Sequence, residues 1–158
     1  MRAFCGIDNG VTGGITILFE DGKIVYHDKT PVIECLNYTK VKAFIHRIDF
    51  QKLNEVLLKL EPTDFCLIER PIVNPMRFKA SISGVRAMES TMIVLEALQI
   101  PYAFIDSKEW QKALLPSGLE KLELKRAADD VAKRLFPSLR IVNSDSVLIA
   151  EYCRRTKR

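Results

Sequence analysis

The sequence predicts an α/β protein in which a mixed sheet of five strands is flanked by helices. Three observations carry that expectation. The chain opens with short apolar segments separated by glycine-containing turns, at Gly10 to Gly14 and at Asp21-Gly22. Its later apolar segments alternate between extended runs and helical spacing. Pro62, Pro71, Pro116 and Pro137 stand where those segments should stop.

Taken in order, Ala3 to Asp8 reads as a strand and Gly14 to Phe19 as its hairpin partner. Lys23 to His27 follows the Asp21-Gly22 turn as a third strand. Thr30 to Asp49 mixes a proline, apolar residues and cations without clear periodicity and reads as irregular. From Phe50, Leu53, Val56, Leu57 and Leu60 fall at helical spacing until Pro62. Asp64 to Glu69 is a strand, Ser81 to Leu98 a long helix with Met88, Met92, Leu95 and Leu98 on neighbouring turns, and Pro101 to Ile105 a strand. Asp106 or Ser107 can cap a short helix running through Trp110 to Leu115. Leu124, Ala128, Val131 and Leu135 mark another helix, stopped at Pro137, and Asn143 or Ser144 caps a last one. On that last helix Asp145, Leu148, Ile149 and Tyr152 share a face, so Asp145 should sit in the first turn on the side that meets the protein.

With 158 residues, 47% of them apolar, the chain has the size and composition of one domain with a core. No apolar run approaches the roughly 18 residues of a membrane span, and none of the features of a signal peptide stands at residues 1–6, so a cytoplasmic protein is expected. Cys5, Cys35, Cys66 and Cys153 form no CxxC pair and only His27 and His46 could join them, which disfavours zinc. Cys5 and Cys66 lie in apolar runs and read as small buried hydrophobes. The net charge of +4 is mild but unevenly spread. Cations gather at Lys40, Lys42, His46, Arg47 and Lys52, at Arg70, Arg77, Lys79 and Arg86, and in Arg154-Arg155-Thr156-Lys157-Arg158. The tail alone reads as a frayed solvated end; the other segments, flanking acidic positions, read as a footprint for a polyanion.

Three acids then need an explanation. Asp8 ends the first strand, Glu69 ends the strand Phe65-Cys66-Leu67-Ile68, and Asp145 joins the inward face of the last helix. A carboxylate beside apolar packing must be solvated, paired or bound to a cation. Singly, Asp8 can cap its turn, Glu69 can pair with Arg70 or Lys79, and Asp145 can favour a helix N-terminus. If the two strands are neighbours and the last helix crosses their ends, the three converge. Hard oxygen ligands without histidine suit Mg²⁺ or Mn²⁺, and two such ions roughly 4 Å apart serve phosphodiester cleavage.

In their order and spacing, GIDNGVTGGI, LIERP, NPMRF leading into a helix with Arg86 and Glu89, SKEWQKALLP, KRLFP and DSVLIAEYCRR resemble the RuvC-type Holliday junction resolvases, particularly their bacteriophage-encoded branch. The likeness runs over nearly the whole chain. It implies a ribonuclease H-like fold, a homodimer, and Mg²⁺-dependent cutting of four-way and related branched DNA in a bacterial host cytoplasm. By that resemblance Asp8, Glu69 and Asp145 match the catalytic, metal-holding acids. The family usually carries a further Asp three or four residues before the closing one; here Ile141 and Val142 stand there, with the neutral Asn143 as the nearest polar residue and a weaker candidate ligand. Two readings follow: a nuclease working with three acids, or a branched-DNA-binding protein with a weakened or inactive metal site.

For either, Arg70, Arg77, Lys79, Arg86 and Lys108 would position the DNA backbone, and Phe44, Phe78 or Tyr38 could stack on an unpaired base. Lys125 could offset charge on the reacting phosphate. The helix Ser81 to Leu98 is either a dimer face or an ordinary core helix. An ATP-binding protein of the actin and sugar-kinase type also begins with Asp-x-Gly-x-Thr, as in Asp8-Asn9-Gly10-Val11-Thr12, but that architecture needs two such domains, and no GxxxxGK[ST] loop is present.

Overall fold

The computed structural model describes residues 1–157; Arg158, counted above with the basic tail, lies outside them. Strands β1 (Ala3–Asp8), β2 (Gly14–Phe19) and β3 (Ile24–Lys29) form the expected antiparallel meander. Helix α1 (Phe50–Leu57) leads to β6 (Phe65–Glu69), and α2 (Phe78–Ala97) leads to β7 (Tyr102–Ile105). Both later strands add parallel to β1, giving a five-stranded mixed sheet ordered β3-β2-β1-β6-β7. Helices α3 (Ser107–Leu114), α4 (Lys121–Leu135) and α5 (Ser144–Thr156) complete the chain.

The segment from Thr30 to Asp49 is the main departure from the sequence reading. It is an antiparallel hairpin of β4 (Val32–Leu36) and β5 (Phe44–Ile48), a separate two-stranded sheet. Asn37 closes its loop, its N–H donating to the Ala43 carbonyl at 2.9 Å. Nothing covers most of this ribbon, and Ile33, Leu36 and Phe44 are exposed while Ile48 is buried. An alternation imposed by a buried face is therefore missing, which is why periodicity did not reveal the strands.

The main sheet is covered on both sides, as the alternation along β1 requires. Ala3, Cys5 and Ile7 pack with Ile15, Ile17, Cys66 and Ile68 under α1 and α2. Phe4, on the opposite face, packs with Leu18, Leu67, Trp110 and the apolar face of α5. Cys5, Cys66 and Cys153 are fully buried and in no disulfide, and burial pushes the Cys66 pKa well up.

Two glycines admit α5 to the sheet. A Cβ at Gly6 would stand 2.2 Å from the Ala150 backbone nitrogen and 2.5 Å from the Ser146 carbonyl oxygen. A Cβ at Gly14 would meet the Asn143 Cβ at 2.6 Å. The glycines around Asp8 thus serve close approach of a helix, which lies directly over the strand that carries the acid. Among the described residues no helix is long and apolar enough to cross a membrane.

Candidate active site

Asp8 stands at the sheet end where β1 and β6 run side by side, and Glu69 ends β6. Asp145 lies in the first turn of α5, whose N-cap is Asn143. The topology therefore brings the three acids to one end of the sheet. Burial, with Asp145 adding, raises the Asp8 pKa to about 6 against the opposing hydrogen bond from Asn143. Burial, with Asp8 and Asp145 adding, raises Glu69 to about 7 against the opposing bond from Trp110. Asp145 is raised by burial and then by Asp129, with Lys125 acting the other way.

Asp8 and Glu69 each have a definite hydrogen-bond partner. Asn143 Nδ2 donates to Asp8 Oδ2 at 2.8 Å, so Asp8 is bound across the site rather than to its own turn. The Asn143 amide cannot be read the other way round, because its Oδ1 accepts from the Ser146 N–H at 2.7 Å as the helix cap. Glu69 pairs with neither Arg70 nor Lys79; its Oε2 accepts from Trp110 Nε1 at 2.7 Å. Arg70 turns instead to Asp106, at 3.4 Å between exposed groups. That leaves Asp106 at the N-cap position of α3 without a capping side-chain bond. Ser144 Oγ donates a short hydrogen bond to Asp129 on α4.

Asp8 and Asp145 line an open groove of about 630 Å³, and α4 supplies its other wall with Lys121, Lys125 and Lys133. Trp110, fully buried, forms part of its floor. The acidic groups offered are oxygen ligands, and neither histidine nor cysteine lines the groove. Among the described residues, no three of His, Cys, Asp or Glu gather closely enough to hold a metal ion as the side chains now stand. A group of partly buried carboxylates whose pKa values are raised by burial, with cations confined to one wall, is nonetheless a site that a hard divalent cation would relieve.

No family model and no curated relative matches the sequence. Solved structures do. A Thermus thermophilus RuvC in complex with a Holliday junction substrate superposes with a TM-score of 0.69 at 12% identity, over 99% of this chain and 97% of that one. A second Thermus thermophilus RuvC structure superposes with a TM-score of 0.58 at 13% identity, with the same coverage. The fold is ribonuclease H-like.

On this fold the basic candidates divide. Arg70, Arg77, Lys79 and Lys108 are exposed, while Arg86 is half-buried, and none of the five lines the groove of the acids. Arg86 instead shares a small cavity with Arg47 and Tyr38 beneath the hairpin. Phe44, Phe78 and Tyr38 are all largely exposed. Residues Arg154 to Thr156 of the tail are helical rather than frayed, the end of α5, and Arg154 and Arg155 both bond the buried Glu151, at 2.8 and 2.7 Å. Those two ion pairs, outweighing burial, hold the Glu151 pKa low.

Sequence reasoning named Lys125 but missed Trp110 and the other α4 lysines, Lys121 and Lys133, as site residues. Both left a trace. A buried indole needs an acceptor for its N–H, and Lys121, Lys125 and Lys133 are spaced by multiples of four, on one helix face.

Proposed function

We propose that this protein is a structure-selective endonuclease of the bacteriophage resolvase kind, which resolves Holliday junctions and related branched DNA by metal-dependent paired nicking as a homodimer in a bacterial cytoplasm. One observation carries the reading: Asp8, Glu69 and Asp145, from three separate elements, come to one end of the sheet beside a groove walled on one side by lysines, and burial raises the pKa of all three. The fold it shares with a RuvC bound to a Holliday junction substrate supports the choice of DNA.

Asp8, Glu69 and Asp145 would hold Mg²⁺ or Mn²⁺. When bound, such ions supply Lewis acidity, which makes water a better nucleophile and stabilises the leaving oxygen. The protein's own groups do the rest. Asn143 holds Asp8 in place, and Trp110 holds Glu69. Lys121, Lys125 and Lys133 attract and align the phosphate chain along α4, and Lys125, the cation that acts on Asp145, is placed to offset charge on the reacting phosphate. Arg70, Arg77, Lys79, Arg86 and Lys108, away from the groove, would engage other arms of a branched substrate. In a homodimer, the exposed Phe78, Ile82, Val85 and Ile93 along α2 offer the apolar contact, and two-fold symmetry would match paired nicks to a junction's symmetry.

A second reading, a branched-DNA-binding protein that does not cut, draws on the absence, among the described residues, of three gathered ligands and on the neutral Asn143. One experiment separates them: nicking of a labelled immobile four-way junction with Mg²⁺ or Mn²⁺, beside gel-shift binding in EDTA. Paired symmetric nicks, lost in Asp8→Asn, support the nuclease. Junction binding without nicks supports the second reading, and no preference for branched over linear DNA overturns both.

A further inference from the structure

His27 lies on β3, outside the groove, yet it bonds on both sides. The Val142 N–H donates to its Nε2 at 3.0 Å, which requires that nitrogen to be unprotonated. The other nitrogen, Nδ1, stands 2.8 Å from Thr16 Oγ1. Thr16 Oγ1 is 2.9 Å from Ser146 Oγ, and both residues are fully buried. Ser146 Oγ donates in turn to the Asn143 carbonyl at 3.1 Å.

Proton counting fixes the direction of this chain from its far end. The single Ser146 hydroxyl proton goes to Asn143, so Ser146 must accept from Thr16. Thr16 has then used its own proton and must accept from His27 Nδ1–H. The same tautomer is demanded independently at the near end by Val142. Both ends of the relay terminate on the two residues, Val142 and Asn143, that precede α5, and the Asn143 side chain reaches Asp8.

We propose that His27 is a positioning residue for the nuclease reaction: as the neutral Nδ1–H tautomer it fixes the Val142-Asn143 segment so that the Asn143 amide is a permanent donor to Asp8. On this account Asn143 is the group that orients Asp8, and its oxygen belongs to the helix cap. Burial, the larger effect, holds the His27 pKa below its ordinary value against the pull of Asp28, in keeping with a neutral ring. Gly14 contributes by leaving room for Asn143. The inference rests on the nuclease reading for its kinetic consequence but not for its geometry.

The test uses the full chain with His27→Ala and His27→Gln, whose amide oxygen can take the place of Nε2 as acceptor. Nitrogen-15 NMR of the metal-free protein reads the His27 tautomer and hydrogen exchange at Asn143 Nδ2, and carboxyl carbon-13 NMR reads Asp8. The expected results are an Nδ1–H ring in the unaltered chain and, in His27→Ala, faster Asn143 exchange with the Asp8 pKa moved further up. Nicking should slow by roughly ten- to a hundredfold with junction binding in EDTA retained, and His27→Gln should recover most of the loss. An Nε2–H tautomer overturns the proposal, as does a His27→Ala protein whose Asn143 exchange and Asp8 titration are unchanged. If the unaltered chain never nicks, the nuclease reading fails while the three spectroscopic results still decide the role of His27. Should His27→Ala not fold, the tautomer in the unaltered chain decides it.

Discussion

The indole of Trp110 donates to Glu69 across 2.7 Å from within the core, tying α3 to the end of β6. Because it favours the charged carboxylate, it opposes the burial that lifts the Glu69 pKa to about 7. Trp110→Phe keeps most of the volume and removes the donor. The Glu69 pKa should move higher, and the acidic limb of the nicking pH profile should shift to higher pH. Stability above neutral pH should fall by about 1.5–3 kcal/mol, the cost of a lost bond to a charged group, as read by denaturant unfolding at pH 8.

The raised pKa values also set how the metal-free protein responds to pH. Asp8 and Glu69 hold protons in the folded state that they lose in the unfolded one, so folding is favoured at low pH. That stability is present below the ordinary carboxylate range near pH ~4 and is lost as pH rises toward about 7. Asp8→Asn removes one of these penalties. In EDTA at pH 8 its Tm should exceed that of the parent by roughly 3–6 °C, with the difference vanishing near pH 4. Mg²⁺ should raise the parent's Tm at pH 8 and leave it unchanged at pH 4. A parent Tm independent of pH across this window would count against the carboxylate cluster.

Asn143→Asp preserves the helix cap but places a carboxylate oxygen where an N–H now meets Asp8. Two like charges at hydrogen-bond distance repel. Without metal at pH 8 the variant should lose about 1–2 kcal/mol, seen as a lower Tm in EDTA. Mg²⁺ should then raise its Tm more than it raises that of the parent, and calorimetric titration should give tighter binding.

Lys121→Ala, Lys125→Ala and Lys133→Ala should each weaken junction binding and lower the slope of log K against log salt by about 0.9 for each phosphate contact removed. Gel shifts at a series of salt concentrations measure this directly. Changes at Arg154 and Arg155 should leave the slope unaltered, because Glu151 already engages both.

Gly6→Ala should be strongly destabilising. Its methyl would sit 2.2 Å from backbone that cannot swing aside, so α5 must lift from β1. A loss of at least about 3 kcal/mol is expected, checked by the unfolding midpoint.

What the sequence disclosed follows from how each residue signals. The five strands of the main sheet were legible because burial on both faces wrote continuous apolar runs into β1, β2 and β6, ended by glycine or proline. Asp8, Glu69 and Asp145 were conspicuous as charges beside those runs. The β4–β5 hairpin was silent, since no core imposes a pattern on it. Trp110 looked like an ordinary helix residue, because its value to Glu69 lies in one N–H and a contact across 41 positions. Of the α4 lysines only Lys125 was singled out; Lys121 and Lys133 resembled a solvated face until the fold brought them opposite the acids. The orientation of Asn143, set by Ser146 and Asp8 together, exists only in three dimensions.

The crossing of α5 over β1 has a consequence in time. Asp8 belongs to β1, which is made well before α5 with Asp145 and its N-cap Asn143, and Gly6 and Gly14 reserve the places of that helix. A ribosome would release most of the chain before the acids could meet. Until then Asp8 lacks its amide partner and the groove lacks an end wall. On the proposed nuclease reading, the site is incomplete until α5 has docked on β1.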